Sequence, residues 1–137
     1  MGLVHTEITL RNASDADKAA EGLIQESEIR QTTVRAMVDT GAGTLVINEE
    51  LREQLGLKIK GFRRATLAND AKEMCKVTYP VEILWNERYT TVSALVMSNT
   101  TEILLGAIPL EDMDLVVDPA RQTLIGAHGD EVVTLVM

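Results

Sequence analysis

The sequence contains few residues that bind metals or form disulfides. Cys75 is the only cysteine, which excludes an internal disulfide and fits a reducing compartment. The two histidines, His5 and His128, lie far apart along the chain, so a zinc site would have to be assembled mostly from carboxylates. We therefore expect no metal centre and no other cofactor.

Positive charge and long apolar runs are also scarce. Lys and Arg total 13 against 21 Asp and Glu, and the resulting net charge of -8 repels the phosphates of nucleic acids. No apolar run approaches the roughly 20 residues that a membrane helix needs, and the first residues lack the segments of a signal peptide. We expect a soluble cytoplasmic protein that binds neither nucleic acid nor membranes.

The chain does contain enough apolar residues for one hydrophobic core. They make up 45% of the 137 residues, which suits a single domain spanning residues 1–137. Polar and apolar residues alternate with period two in several segments, and this pattern predicts strands. These segments are residues 5–12, 32–38, 79–85 and 89–97.

Helix signals are brief, so the sequence predicts a mostly β domain. One short helix is expected between Ser14 and Gly22, and a second over residues 49–55, where Asn48 is suited to cap the first turn. A third is expected to start at Pro109 and to cover residues 109–113, because proline fits the first helical position.

Residues 62–77 are typical of a β-hairpin with Asn69-Asp70 at its centre. The flanking stretches are too polar to be buried on both faces, so we expect a projecting ribbon or else an ordinary surface hairpin. At the tip, an L-residue must adopt a positive φ where Asn-Gly or Asp-Gly would be easier, at a modest cost in strain.

Asp39 ends an apolar run in the stretch AMVDTGAGTLVI, residues 36–47, and three explanations for it are open. A short polar side chain suits the end of a strand, and Asp-Ser/Thr-Gly arises by chance in about one chain in fifteen of this length. The loop also resembles the first phosphate loop of the actin and sugar-kinase ATPases, whose two large lobes do not fit here. In the third explanation, Asp39 is half of a carboxylate pair that shares a proton and activates water.

Two blocks of sequence favour the third explanation. The segment VDTGAGTLVINEELREQLGL, residues 38–57, resembles the retropepsin-like aspartic proteases, especially their single-domain bacterial members. The segment EILLGAIPLEDMDLVVDP, residues 102–119, is similar to the family's apolar-apolar-Gly element, in which Gly106 would pack beneath the catalytic loop. The hairpin lies between them, where the family keeps its flap. The resemblance implies a single-domain acid protease fold, a mostly β closed barrel with one or two short helices and a flap hairpin.

The resemblance also implies roles for individual residues. Asp39 would activate the water, the Thr40 hydroxyl would reach the loop of a second subunit, and the Gly41 carbonyl would bind the substrate's backbone. The flap would fold over an extended peptide and add main-chain hydrogen bonds. The residues that the resemblance places against the substrate are Ala42, Gly43, Leu67, Ala68, Asn69, Asp70, Ala71 and Gly106.

Only one Asp-Thr-Gly occurs in the chain, so a carboxylate pair requires two chains. The resemblance implies a symmetric homodimer in which both copies of Asp39 meet on the two-fold axis and terminal strands pair. The apolar residues 131–137 are then an interface strand, with an edge strand of the same chain as the alternative. We expect an aspartic endopeptidase that cuts extended peptides or proteins.

Departures from the family pattern support an alternative function. Several retropepsins have an acid at the position of Gly43 and an arginine at that of Ala107, and here both charges are absent. Together with Asp70 at the flap tip, this leaves open a catalytically silent module that binds peptides or dimerises. The intact Asp-Thr-Gly favours the enzyme, because a silent copy has little physical reason to keep a costly carboxylate pair.

Overall fold

The computed structural model describes residues 3–67, 69–98 and 100–136, and these residues are mostly β, as the sequence predicts. The strands are β1 (His5–Asn12), β2 (Gln31–Val38), β3 (Leu45–Ile47), β4 (Ile59–Thr66), β5 (Lys72–Thr78), β6 (Val81–Trp85), β7 (Arg88–Val92), β8 (Ala94–Val96), β9 (Ile103–Leu105), β10 (Leu115–Asp118) and β11 (Thr123–Gly126).

One large sheet contains all but the last two strands. Its order is β4-β5-β8-β3-β9-β2-β1-β6-β7, and β10 pairs with β11 in a small separate sheet. Neighbouring strands are antiparallel except for β2 with β9 and β3 with β8. The mostly β class is therefore confirmed, whereas barrel closure through pairing of the outer strands β4 and β7 is not seen in the described part of the chain.

The strand predictions agree with the structure where a buried face sets the alternation. β1 coincides with the predicted segment because alternate residues, Ile8 and Leu10 among them, enter the core. The predicted strand 89–97 is instead two strands, β7 and β8, which are separated at Ser93. The Ser93 carbonyl accepts a hydrogen bond from the Thr44 hydroxyl at 3.1 Å, a contact that the local pattern does not reveal.

Three short α-helices connect the strands within the described residues, one more than the resemblance implies. They are α1 (Ala13–Ala20), α2 (Glu49–Gln54) and α3 (Ala107–Asp112), and a 3-10 turn covers Glu26–Glu28. The Asn48 side chain caps α2 as expected, since it accepts the Leu51 N–H at 2.8 Å.

The predicted start of α3 at Pro109 is wrong by two residues. The helix begins at Ala107 because the N–H groups of Ala107 and Ile108 donate to carbonyls of residues 39–44, the Asp39 loop. These bonds satisfy first-turn donors that would otherwise need a side-chain cap. Pro109 follows at the third position, where its missing N–H is tolerated.

The hydrophobic core lies between the large sheet and the elements that cover it. Its fully buried members come from strands and helix ends distant in sequence, and include Leu10, Leu45, Leu55, Ile83 and Leu105. Two of them, Leu45 and Leu105, are paired neighbours beside the Asp39 loop. Among the helices described here, none is long and apolar enough to cross a membrane.

Candidate active site

Asp39 lies where three strands converge. β9 lies between β2 and β3, with Leu105 paired to Val38 on one side and to Leu45 on the other. The loop of residues 39–44, which we call the Asp39 loop, therefore bridges two strands that are not neighbours in the sheet. Both ends of the loop are fixed by β9, which lies about sixty residues later in the sequence.

Backbone groups hold the Asp39 carboxylate in place. The Asp39 N–H donates to the Leu105 carbonyl at 3.0 Å, and its carbonyl accepts the Ala42 N–H at 3.0 Å to close a tight turn. The Gly41 N–H donates to the Asp39 carboxylate oxygen Oδ1, also at 3.0 Å. Asp39 is half-buried, whereas Thr40 and Gly41 are exposed. The carboxylate is thus oriented at the surface rather than enclosed.

Gly106 packs directly beneath the loop, as the sequence predicts. A Cβ at this position would lie 2.3 Å from the Thr44 carbonyl oxygen and 2.6 Å from that of Ala42. These are backbone atoms, which cannot turn aside as a side chain would. Only glycine lets the chain after β9 approach the loop this closely.

The positions that lack the family's charged pair take part in backbone hydrogen bonds. The Ala107 N–H donates to the Ala42 carbonyl at 2.8 Å, and the Ile108 N–H donates to the Gly43 carbonyl at 3.1 Å. Since both charges are absent together, neither is left without a partner. The Gly41 carbonyl accepts no hydrogen bond from any described residue, so it is available to a ligand.

The predicted flap is the β4–β5 hairpin. The Asp70 N–H donates to the Leu67 carbonyl at 2.9 Å, and the Asn69 side chain accepts the Ala71 N–H at 3.0 Å. Asp70 has a φ of 64°, which confirms that an L-residue occupies the left-handed position at the tip. Ala68, also predicted to touch substrate, lies outside the described residues.

A cleft of about 260 Å³ connects the flap to the Asp39 loop. The sequence predicts none of its lining residues as site residues, and for Arg63 beside Arg64 it favours a solvated charged face over contact with an acidic substrate. The lining residues are Thr44, Arg63, Val77, Val92, Ser93, Leu95 and Ile108. The alternation of side chains along the hairpin could have identified Arg63. Directly paired residues on neighbouring strands share one face of the sheet, so Arg63 faces the same way as its register partner Cys75.

Cys75 is buried on this inner face of the flap. Burial raises the pKa of the Cys75 thiol, and the nearby negative charge of Glu73 raises it further. The thiol is therefore neutral and unreactive at physiological pH, and packs as a small apolar side chain. Within the described residues, no group of three or more His, Cys, Asp or Glu side chains could hold a metal ion.

The larger concavity of the molecule, about 650 Å³, lies elsewhere. It is lined by α1 and by residues around Gly56 and Tyr79, and it contains none of the predicted site residues. Its size therefore does not identify the site. The Asp39 loop, the Gly106 element and the flap form the chemically distinctive region, although no hydrogen bond between described residues joins the flap tip to the loop.

Comparisons with known proteins concern the family and the fold of the chain. The family model described as gag-polyprotein putative aspartyl protease matches residues 25–127, a range that includes the Asp39 loop, the flap and Gly106. No curated protein sequence matches the chain. Among solved structures, a retropepsin-like aspartic protease from Rickettsia conorii is 23% identical, over 64% of this chain and 77% of that one, with a TM-score of 0.47.

Proposed function

Because the chain belongs to the gag-polyprotein aspartyl protease family, we propose that it is a retropepsin-like endopeptidase that acts as a homodimer. Each subunit supplies one Asp39, and the two carboxylates together hydrolyse a peptide bond. We assign residues 1–137 to one protease domain and place it in the cytoplasm, since its single thiol is free.

The observation that carries the proposal is the way the Asp39 carboxylate is held. Oδ1 accepts the Gly41 N–H, the residue's backbone is bonded on both sides, and Gly106 supports the loop from below. The Gly41 bond alone also occurs where an aspartate merely ends a strand, so the bond to β9 and the packing of Gly106 are what set this carboxylate apart. Fixed orientation of a reacting group at the surface is what catalysis on a bound substrate requires.

Dimerisation is supported by the exposure of the groups that would meet. Thr40 is exposed beside Asp39, and apolar residues of the C-terminal tail are exposed as well: Leu135 by 88% and Val136 by 90%. Residues 132–136 pair with no strand in the described chain, so the alternative of an edge strand within one subunit gains no support. An unpaired apolar tail of this kind is suited to a subunit interface.

The chemistry follows from two carboxylates that share one proton. The ionised carboxylate takes a proton from a water molecule as the water oxygen bonds to the carbonyl carbon, and the other carboxylic acid protonates the carbonyl oxygen. The resulting diol then collapses: one hydroxyl returns its proton to a carboxylate, the C–N bond breaks, and the other carboxylic acid protonates the amine. The pair is left with one shared proton.

The test is cleavage of an unbiased peptide library by the wild type and by Asp39→Asn. We expect the variant to lose cleavage at least about 1,000-fold, because an amide cannot act as the base. A pepstatin-type inhibitor should block the wild type. The matched control is Asp17→Asn, which removes the same charge from an exposed position on α1 and should leave cleavage unchanged.

Mixing the two chains tests the shared site. If one Asp39 from each subunit is needed, an excess of Asp39→Asn should inactivate the wild type through subunit exchange, whereas an excess of Asp17→Asn should not. Equal cleavage by wild type and Asp39→Asn would overturn the catalytic proposal. Dimerisation and peptide binding without cleavage would instead favour the silent binding module.

A further inference from the structure

The flap hairpin is basic in a protein that is otherwise acidic. Residues 59–78 contain five of the 13 Lys and Arg but only two of the 21 Asp and Glu. Opposite charges attract more strongly at a few ångströms than across solvent, so the positive charge of this hairpin would act on a substrate held beneath it.

The two adjacent arginines of β4 lie on opposite faces of the hairpin. Arg63 is paired in register with the buried Cys75 and lines the cleft beside the Asp39 loop. Arg64 is paired with Met74, which is 57% exposed, and does not line the cleft. Both arginines are exposed, but of the two only Arg63 lines the cleft.

The Arg63 guanidinium has no partner in the described part of the chain. It forms neither a salt bridge nor a hydrogen bond there, and Glu73, which shares its face of the hairpin, does not pair with it. The other walls of the cleft are Val77, Val92, Leu95 and Ile108, with Thr44 and Ser93 bonded to each other. Among the residues that the structure describes, Arg63 is thus the one charged group that lines this cleft.

We propose that Arg63 selects substrates with an acidic side chain close to the bond that is cut. The inference rests on the proposed protease function and adds the class of peptide that it takes. A carboxylate in the cleft would form a charge-assisted, two-pronged hydrogen bond with the guanidinium beside the apolar walls. A neutral amide of the same shape would gain much less.

The test compares peptides that differ only as Glu and Gln. Starting from a peptide that the library shows to be cut, one position at a time on either side of the cut is changed to Glu or to Gln, and kcat/KM is measured for each pair. We expect the wild type to prefer Glu at one position, and Arg63→Gln to lower this preference about three- to tenfold. Arg64→Gln, which removes the same charge from the outer face, should preserve it, and added salt should weaken it.

The outcomes separate this inference from the proposed function. Cleavage with no Glu preference, or an equal loss of preference in Arg63→Gln and Arg64→Gln, would overturn the role of Arg63 while the protease assignment stands. If no peptide is cut, anisotropy of fluorescein-labelled Glu and Gln library peptides mixed with the Asp39→Asn chain still measures selection. Tighter binding of Glu peptides that is lost only with Arg63→Gln would support it, and equal binding would refute it.

Discussion

Replacing Gly106 with alanine tests whether the close contact beneath the Asp39 loop determines both stability and activity. The new methyl group would lie 2.3 Å from the Thr44 carbonyl oxygen, whereas real contacts of this kind are essentially never shorter than 3.0 Å. The loop and the start of α3 must therefore separate by at least about 0.7 Å, because both surfaces are backbone.

The size of the effect can be worked out from the bonds at this junction. Ala107 N–H to Ala42 and Ile108 N–H to Gly43, at 2.8 and 3.1 Å, both lengthen when the surfaces separate. Each is worth about 1 kcal/mol, and overpacking adds about 1–3 kcal/mol. We expect the free energy of unfolding to fall by about 3–5 kcal/mol. Since a displacement of this size misplaces Asp39, kcat/KM should fall about 100-fold or more.

The free energy of unfolding is measured by urea denaturation followed by circular dichroism, at one protein concentration because dimerisation adds to stability. Gly43→Ala is the matched stability control. It adds the same methyl group on the other side of this junction, in the Asp39 loop, but no atom apart from the chain neighbours lies within 4 Å of it. That variant should change the free energy of unfolding by less than about 0.5 kcal/mol.

A Gly106→Ala protein that lost less than about 1 kcal/mol and cleaved peptides normally would refute the reasoning. The loop would then have relaxed without cost, and Gly106 would not be what fixes Asp39. A loss of stability equal to that of Gly43→Ala would lead to the same conclusion.

Two further predictions concern the support around the core. Hydrogen bonds from the Arg30 guanidinium hold the pKa of the Asp15 carboxyl below its usual value. The pair therefore stabilises the fold fully at pH values above the unfolded-state pKa of about 3.9. This stabilisation is lost as the pH falls through the lower pKa of the folded state. Because Asp15 is buried but Arg30 is about half exposed, Asp15→Asn should lower the free energy of unfolding by about 1–2 kcal/mol at pH 7. The difference from wild type should narrow as the pH falls below about 3.9 in urea titrations. A difference that did not change with pH would contradict this. Asn48→Ala should remove the cap of α2 at a cost of about 1 kcal/mol in the same assay, and no change would show that the cap does not contribute.

The elements that sequence predicts well are those whose pattern is set by local physics. β1 alternates because one of its faces enters the core, and α2 starts at Asn48 because that side chain satisfies an N–H of the first turn. Asp39 and Gly106 are predicted as site residues by the resemblance of two motifs, in that order, to the retropepsin-like proteases. Their contact depends on β9 entering between β2 and β3, and nothing within either segment specifies that pairing.

The features that sequence misses depend on contacts between distant segments. α3 begins two residues early because a loop about sixty residues away accepts its first N–H groups. β7 ends before Ser93, whose carbonyl accepts a hydrogen bond from the hydroxyl of Thr44 in the Asp39 loop. The alternation of side chains predicts that Arg63 and Arg64 lie on opposite faces of the hairpin. It does not predict which face is buried, and this follows only from the pairing of Arg63 with Cys75.

A site held by backbone atoms leaves a particular signature in the sequence. Gly106 is constrained, because a side chain there would approach the loop carbonyls too closely, and a Cβ at Gly41 would lie 3.2 Å from the Asp39 carboxylate, which would have to shift slightly. Gly43 and Ala107 contribute only a carbonyl and an N–H, so their side chains are free to vary. A charged pair at these two positions can thus be lost while the junction is kept. Its absence is therefore weak evidence for a silent protein, and the Asp39 variant, not the departures, decides between enzyme and binding module.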